Sequence, residues 1–351
     1  MRKIFLSFFA IVFFNQVRSQ DIAQIIAGSK ADANKYFSNY IQPFGEGEIY
    51  NLARGWYSTA RAHKLLGLDF SINIQAAAIP IEKQNFTFNN SDYTTFKLNG
   101  GASSASLPTF MGSTTSQQIN VSSNVNGQTV STSFGAPKGI GDDFKKKISF
   151  LPVSVPLPVA QIGIGLFKHT DLKVRYFPKT NFNNVAIGVF GLGVQHEFSN
   201  YLPFIKKVPF LHLSALAAYN KISASYNPSI SGTSVTASDA NINYDISAFT
   251  LQGIASVKFA FLEIYTAIGY SNGKSTINLK GNYAVSYNTG FPPPNNVVST
   301  NVVDPISLSY TGGGMSNTWG VRFNLLIFKV YADYTFAKYN GVGVGIALAI
   351  R

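Results

Sequence analysis

The sequence contains no cysteine. That excludes disulfides, thiolate metal sites and a thiol nucleophile, and also the lipidated cysteine that anchors a bacterial lipoprotein. Charge is scarce as well, at 13% of 351 residues, where soluble proteins carry about a quarter. After the first residues there is no apolar run of about 18 residues, so helical membrane spans are not expected. Histidine occurs four times, as His63, His169, His196 and His212. Their spacing lacks the close pairing of a metal site, so neither metal nor cofactor is expected. His212 and Ser214 share a strand face, but no acid is recognisably placed beside them. A triad needs all three roles, so the chain is not read as an enzyme.

What remains is a long, charge-poor chain rich in apolar and small residues. Apolar residues make up 46%, with 30 glycines and 18 tyrosines. The formal charge is +12, but the basic residues are scattered, and Lys145-Lys146-Lys147 is the only tight run. A nucleic-acid partner is therefore not expected, and attraction to anionic headgroups or solutes is the better use of the excess. Residues 1–20 have the form of a signal peptide: Arg2 and Lys3, an apolar core from Ile4 to Phe14, then Val17-Arg18-Ser19 before the expected cleavage at Gln20 or Asp21.

The last strand is the plainest signal. In Gly341–Ile350, Val342, Val344, Ile346, Leu348 and Ile350 share one parity, and Gly341, Gly343, Gly345, Ala347 and Ala349 share the other. Side chains alternate across a strand, so one face is wholly aliphatic and the other nearly bare. Lipid outside and a crowded interior fit that pattern, and about ten residues is the length of a tilted transmembrane strand. The Gly-Val-Gly-Val-Gly run has no helix after it, which sets aside a nucleotide-binding loop.

Alternation recurs along the chain. Leu68, Phe70, Ile72 and Ile74 alternate with Asp69, Ser71, Asn73 and Gln75. Strands follow over residues 151–168, 172–177, 185–198, 210–226, 244–259, 263–287, 306–328 and 330–337. Short connections lie on one side and long ones on the other, as in bacterial outer-membrane barrels. Backbone groups in lipid must pair internally, which forces closure. The expected fold is all-β: a closed antiparallel transmembrane β-barrel of 10–14 strands, even in number, over residues 65–351. Residues 80–150 form a large external loop with a hairpin at Asn126-Gly127, and further strand pairs in it would raise the count above ten.

Residues 21–64 are expected to be helical at first. Ile22, Ile25, Ile26, Ala33, Tyr36, Phe37, Tyr40 and Ile41 recur at helical spacing over Asp21–Ile41. Asp21 is placed to cap that helix and Pro43 to stop it, with a short helix near residues 48–54. This segment is either a plug in the barrel mouth or a periplasmic piece under its rim.

Parity names the inward residues. The candidate lumen-lining set is Asp69, Asn73, Gln75, Lys173, Arg175, Gln252, Lys258, Arg322, Asn324 and Asp333. Either these charges fill the barrel as interior salt bridges, or they form a polar path that Lys173, Arg175, Lys258 and Arg322 tilt toward anions.

Three stretches carry a resemblance: Gly55–Arg61, Gly191–Phe198 and Leu202–Phe210. They resemble an uncharacterised flavobacterial-type outer-membrane β-barrel family. The layout of leader, N-terminal helix and large first external loop is distantly similar to that of the long-chain fatty-acid channel family. The Asn-Pro-Ala hatch signature of that family is absent, so no binding residue is carried over. The resemblance implies a bacterial outer-membrane location after export, and a passive channel for small or hydrophobic molecules. The alternative is a non-transporting subunit or scaffold of a larger outer-membrane complex. Expected partners are outer-membrane lipid, other outer-membrane proteins and, during biogenesis, the barrel-assembly machinery.

Overall fold

The computed structural model describes residues 25–26, 28–125, 128–182, 185–228, 235–288 and 297–350. The expected leader, its cleavage site, the cap at Asp21 and the turn residues Asn126-Gly127 lie outside them. In chain order the elements are helix α1 (Lys30–Ala53), strands β1 (Leu68–Ala78), β2 (Asn85–Asn89), β3 (Phe96–Leu98), β4 (Ser104–Pro108), β5 (Gln118–Val125) and β6 (Gln128–Gly135), and helix α2 (Gly141–Lys147). Then follow β7 (Ser154–Leu166), β8 (Thr170–Phe182), β9 (Val185–Glu197), β10 (Leu211–Tyr226), β11 (Val235–Phe259), β12 (Leu262–Asn288), β13 (Val297–Val303), β14 (Ile306–Leu325), β15 (Phe328–Phe336) and β16 (Gly341–Ile350).

Ten of these strands close on themselves. The ring runs β1-β7-β8-β9-β10-β11-β12-β14-β15-β16 and returns to β1, antiparallel throughout. β16 closes it against β1, with Leu68 opposite Ile350 and Ala77 opposite Gly341. A closed ring leaves no unpaired edge. The large loop adds nothing to it: β2 pairs with β4, and β3-β5-β6 form a separate sheet, so the count is ten. β5 and β6 do pair as a hairpin, Val125 opposite Gln128. β13 pairs only with the far half of β12.

The outward faces are apolar around the whole ring. Phe70, Ile162, Leu192, Tyr219, Leu251, Ile268, Val321, Val330 and Ile346 are exposed, one from each of nine strands. On β16, Val344, Ile346, Leu348 and Ile350 are 44–65% exposed while Ala347 and Ala349 are buried. One rim carries the connections 167–169, 260–261 and 326–327, each of two or three residues, and the longer, compact 198–210. The opposite mouth carries the long loop, the ends of β11 and β12, and β13.

α1 corrects the expected helix. It starts at Lys30, where the Ser29 side chain accepts from Asp32 N, and it continues through Pro43 to Ala53. An internal proline removes one N–H and crowds the preceding turn, costing about 3 kcal/mol. Here Pro43 and every residue after it in α1 are buried inside the ring, and that burial outweighs the loss. The piece expected as a second short helix is the lower half of α1.

The helix runs from the loop-rich mouth toward the short-turn rim. Its start sits at the loop-rich mouth, where Lys30 Nζ donates to Val303 O (3.3 Å) and Asn34 Nδ2 to Pro305 O (2.8 Å). Tyr36 lies at the centre of an aromatic cluster with Phe86, Phe88, Phe96 and Phe134 at that mouth. Phe110 N donates to Tyr40 O (2.7 Å), which ties the large loop to the helix. The chain then descends through the barrel, and β1 begins at the short-turn rim.

Candidate functional site

Below α1 the chain is irregular from residue 54 to 67, and residues 55–63 make no backbone–backbone hydrogen bond among the described residues. Buried backbone polar groups must be paired, and the inner face of the barrel pairs them. Asn220 Nδ2 donates to Leu52 O (2.8 Å), Arg175 Nη2 to Arg54 O (2.9 Å), Lys173 Nζ to Trp56 O (2.7 Å) and Gln195 Nε2 to Thr59 O (2.9 Å). Lower down the polarity reverses. Ala60 N donates to Ser256 Oγ (3.1 Å), Ala62 N to Glu197 Oε2 (2.8 Å) and His63 N to Asp171 Oδ1 (2.9 Å). Cations and amides of the inner face meet the upper carbonyls, and its hydroxyl and carboxylates meet the lower amides.

Side chains of the segment are held as firmly. The Arg175 guanidinium lies 3.7 Å from the centroid of the Trp56 ring. Trp56 sits in the space that Gly193 leaves, where a Cβ would come within 2.9 Å of its ring. Thr59 donates to Glu263, Arg54 to Tyr339 O, and His63 Nδ1 lies 2.9 Å from Asp171 Oδ2.

All ten candidate lumen residues lie on the inner face. Asp69, Lys173 and Arg322 border one cavity of about 20 Å³ with Ser58 and Tyr331. Gln252 and Asp333 border a second of about 20 Å³ with Tyr50 and Arg54. Either has room for about one water molecule. Asn73 Nδ2 donates to Gly55 O (3.4 Å) and Gln75 Nε2 to Asn73 Oδ1 (3.1 Å). Asn324 Nδ2 donates to Glu263 Oε2 (3.4 Å), and Lys258 stands half-buried at the short-turn rim.

Two expectations are corrected. Interior salt bridges are not what these charges form: among the described residues, no ion pair involves Arg54, Lys173, Arg175 or Arg322. Lys173 and Arg175 turn instead to carbonyls of the irregular segment, the Trp56 ring and the Gln195 and Gln161 side chains, Arg54 to Tyr339 O, and Arg322 to Ser58 Oγ. His212 does have an acid beside it, since Glu197 Oε1 lies 2.7 Å from its Nδ1 across the β9–β10 pair. The other Glu197 oxygen holds Ala62, and Ser214 Oγ accepts from Gln195 Nε2 (3.0 Å). The cluster grips the segment, and its serine is bonded to an amide.

Gln161, Gln195, Asn220, Asp171, Glu197 and Glu263 hold the segment or its neighbours but were absent from the candidate set. Parity alone could have found Gln195 and Glu197, which continue the inner face of Gly191 and Gly193. Nothing local marks Trp56, whose role comes from what faces it across the barrel.

The chain belongs to the family of unknown function DUF6588, whose model matches residues 1–350. No curated protein matches it. Among solved structures it is similar to the attachment invasion locus protein Ail of Yersinia pestis, at 9% identity and a TM-score of 0.25, covering 82% of this chain and 100% of that one. It is similar to the translocator domain of autotransporter NalP from Neisseria meningitidis, at 11% identity and 0.26, covering 82% and 90%. It is also similar to the outer membrane protease OmpT from Escherichia coli, at 9% and 0.25, covering 84% and 97%. At these scores the likenesses carry no weight beside the closed ring of the chain itself.

Proposed function

We propose that the protein is a bacterial outer-membrane β-barrel, closed by its own N-terminal segment, that anchors the β-structure of its loop-rich mouth at the cell surface. The apolar outer face of every ring strand supports a membrane location, since soluble monomers rarely expose such continuous area. Short turns face the periplasm in such barrels, which directs the loop-rich mouth and the start of α1 outward. β16 has 10 residues, about 34 Å of strand and roughly 24 Å of membrane at a 45° tilt.

One observation favours an anchor over a passive channel. The carbonyls of Leu52, Arg54, Trp56 and Thr59 are each engaged by a barrel side chain, so the polar groups that would line a path already have an occupant. Conduction of a solute would require this segment to leave. The barrel is accordingly a scaffold, with no catalytic step assigned to it.

Planar-bilayer recording of the full-length protein tests this. The expected result is no steady current, with current appearing once residues 30–63 are deleted. A steady current from the intact chain would return the protein to the channel class.

A further inference from the structure

The short-turn rim is unusual in what it exposes. Leu326 is 93% exposed, Phe204 83%, Leu66 76% and Phe167 74%. These residues stand at turn tips, beyond the strands that make the apolar belt. Two of the turns have only two residues, Ala260-Phe261 between Phe259 and Leu262, and Leu326-Ile327 between Leu325 and Phe328. Ala260 and Leu326 have φ of 47° and 55° there, a conformation for which turn chemistry favours Asn, Asp or Gly. Apolar residues at strained turn positions indicate that the surroundings, not the backbone, chose the side chain. Aromatic pairs continue the same surface: Phe210 stacks on Phe259 at 6.0 Å and Phe261 on Phe323 at 6.5 Å.

The charge at this rim is of one sign. Lys64, Lys168, Lys206 and Lys207 are exposed on its connections. The acids near it, Asp69, Asp171, Glu197 and Glu263, all face the barrel interior, and the last three are buried. Among the described residues, the exposed acidic side chains of Glu82, Asp92, Asp143, Asp239 and Asp304 all lie at the opposite mouth. A surface of apolar tips with lysines among them fits an interface with acyl chains on one side and phosphate on the other, where each lysine adds to the attraction for anionic lipid.

We infer that the short-turn rim is a collar that binds anionic phospholipid headgroups, its apolar tips seated among the acyl chains and its lysines on the lipid phosphates. Phe204 and the pair Lys206-Lys207 share one connection, so a single loop offers both halves of the contact. This rests on the membrane-barrel reading above. A water-soluble protein partner would need a rim that tolerates water when free, and tips this exposed and apolar do not meet that need.

Spin-labelled phosphatidylglycerol and phosphatidylcholine at trace level, in bilayers holding the full-length protein, test the inference. The expected result is a motionally restricted lipid component with a preference of about fivefold for phosphatidylglycerol. The preference should fall to near unity in a Lys168→Gln/Lys206→Gln/Lys207→Gln variant. A spin label on Phe204→Cys, in a chain without native cysteine, should be more accessible to oxygen than to a water-soluble nickel relaxant. Equal affinity for the two lipids in the wild type, or a preference unchanged in the triple variant, would overturn the inference. So would a water-exposed label at 204, which would favour a soluble periplasmic partner. No restricted lipid at all would refute the membrane barrel itself, a different failure.

Discussion

Replacing Arg175 by methionine should loosen the threaded segment without opening the ring. Arg175 donates to Arg54 O at 2.9 Å and stands 3.7 Å over the Trp56 ring. A charge-assisted bond of this kind contributes about 1.5–3 kcal/mol, and a desolvated cation–π contact about 2. Leu52 O keeps its bond from Asn220, so its weaker contact with Arg175 counts for little. Removing a buried guanidinium also relieves its desolvation, which offsets part of the loss. A net change of about 3 kcal/mol is a factor of about 150 in the local opening equilibrium. Amide hydrogen exchange reads that directly, because opening of the segment frees the Ala60, Ala62 and His63 amides from Ser256, Glu197 and Asp171. Those three should exchange about a hundredfold faster in Arg175→Met, with the paired amides of β1 and β16 unchanged. Acceleration equal in segment and strands would refute the reasoning, for it would mean that the segment and the ring open as one unit. No acceleration anywhere would refute it too, since Arg175 would then contribute nothing net.

Four further outcomes follow from the same contacts. In the cysteine-free chain, Ala31→Cys on intact cells should react with a membrane-impermeant maleimide, while Asn200→Cys, an exposed polar position on the short-turn rim, should react only after the outer membrane is breached; the reverse order would invert the proposed orientation. Gly345→Val would drive its Cβ into the Tyr331 ring and should cost about 1–3 kcal/mol of barrel stability, measured by denaturant unfolding, with part recovered in a Gly345→Val/Tyr331→Ala double variant. Ile346→Arg, on the exposed face midway along β16, should cost about 2–4 kcal/mol in a bilayer, and a neutral result would argue against lipid at that face. Burial pushes the Asp32 carboxyl up, but hydrogen bonds from Thr95 and Thr94 outweigh it and hold the group below its ordinary value of 3.8. A lowered folded value means that its stabilisation is full above about 3.8 and is lost as pH falls through the folded value, so exchange at Thr94 and Thr95 should quicken only under strong acid, and at neutral pH in Asp32→Asn.

Much of the fold was legible along the chain because a membrane barrel writes its environment into parity. β16 shows this most simply: lipid demands Val344, Ile346 and Leu348 on one face, and the cross-strand neighbours Gln75, Tyr331 and Asp333 demand glycine on the other. The same alternation in β1, β8, β14 and β15 assigns Asp69, Lys173, Arg322 and Asp333 to the inner face. Period-2 patterning depends only on which side a residue faces, so it survives without tertiary information.

The contents of the interior are another matter. Pro43 is a stop signal in isolation, and only the burial of Pro43 to Ala53 inside the ring carries α1 through it. Lys173 and Arg175 look like channel charges or salt-bridge partners until the carbonyls of Trp56 and Arg54 are seen opposite them. Glu197 acquires its role from His212 across one strand and from Ala62 across the barrel. The sequence by itself determined a charge-poor, alternating chain that must close into a barrel, because unpaired backbone cannot sit in lipid. Tertiary structure decided that residues 30–63 run down through it from the loop-rich mouth, because an irregular segment finds most of its hydrogen-bond partners among side chains more than a hundred positions away.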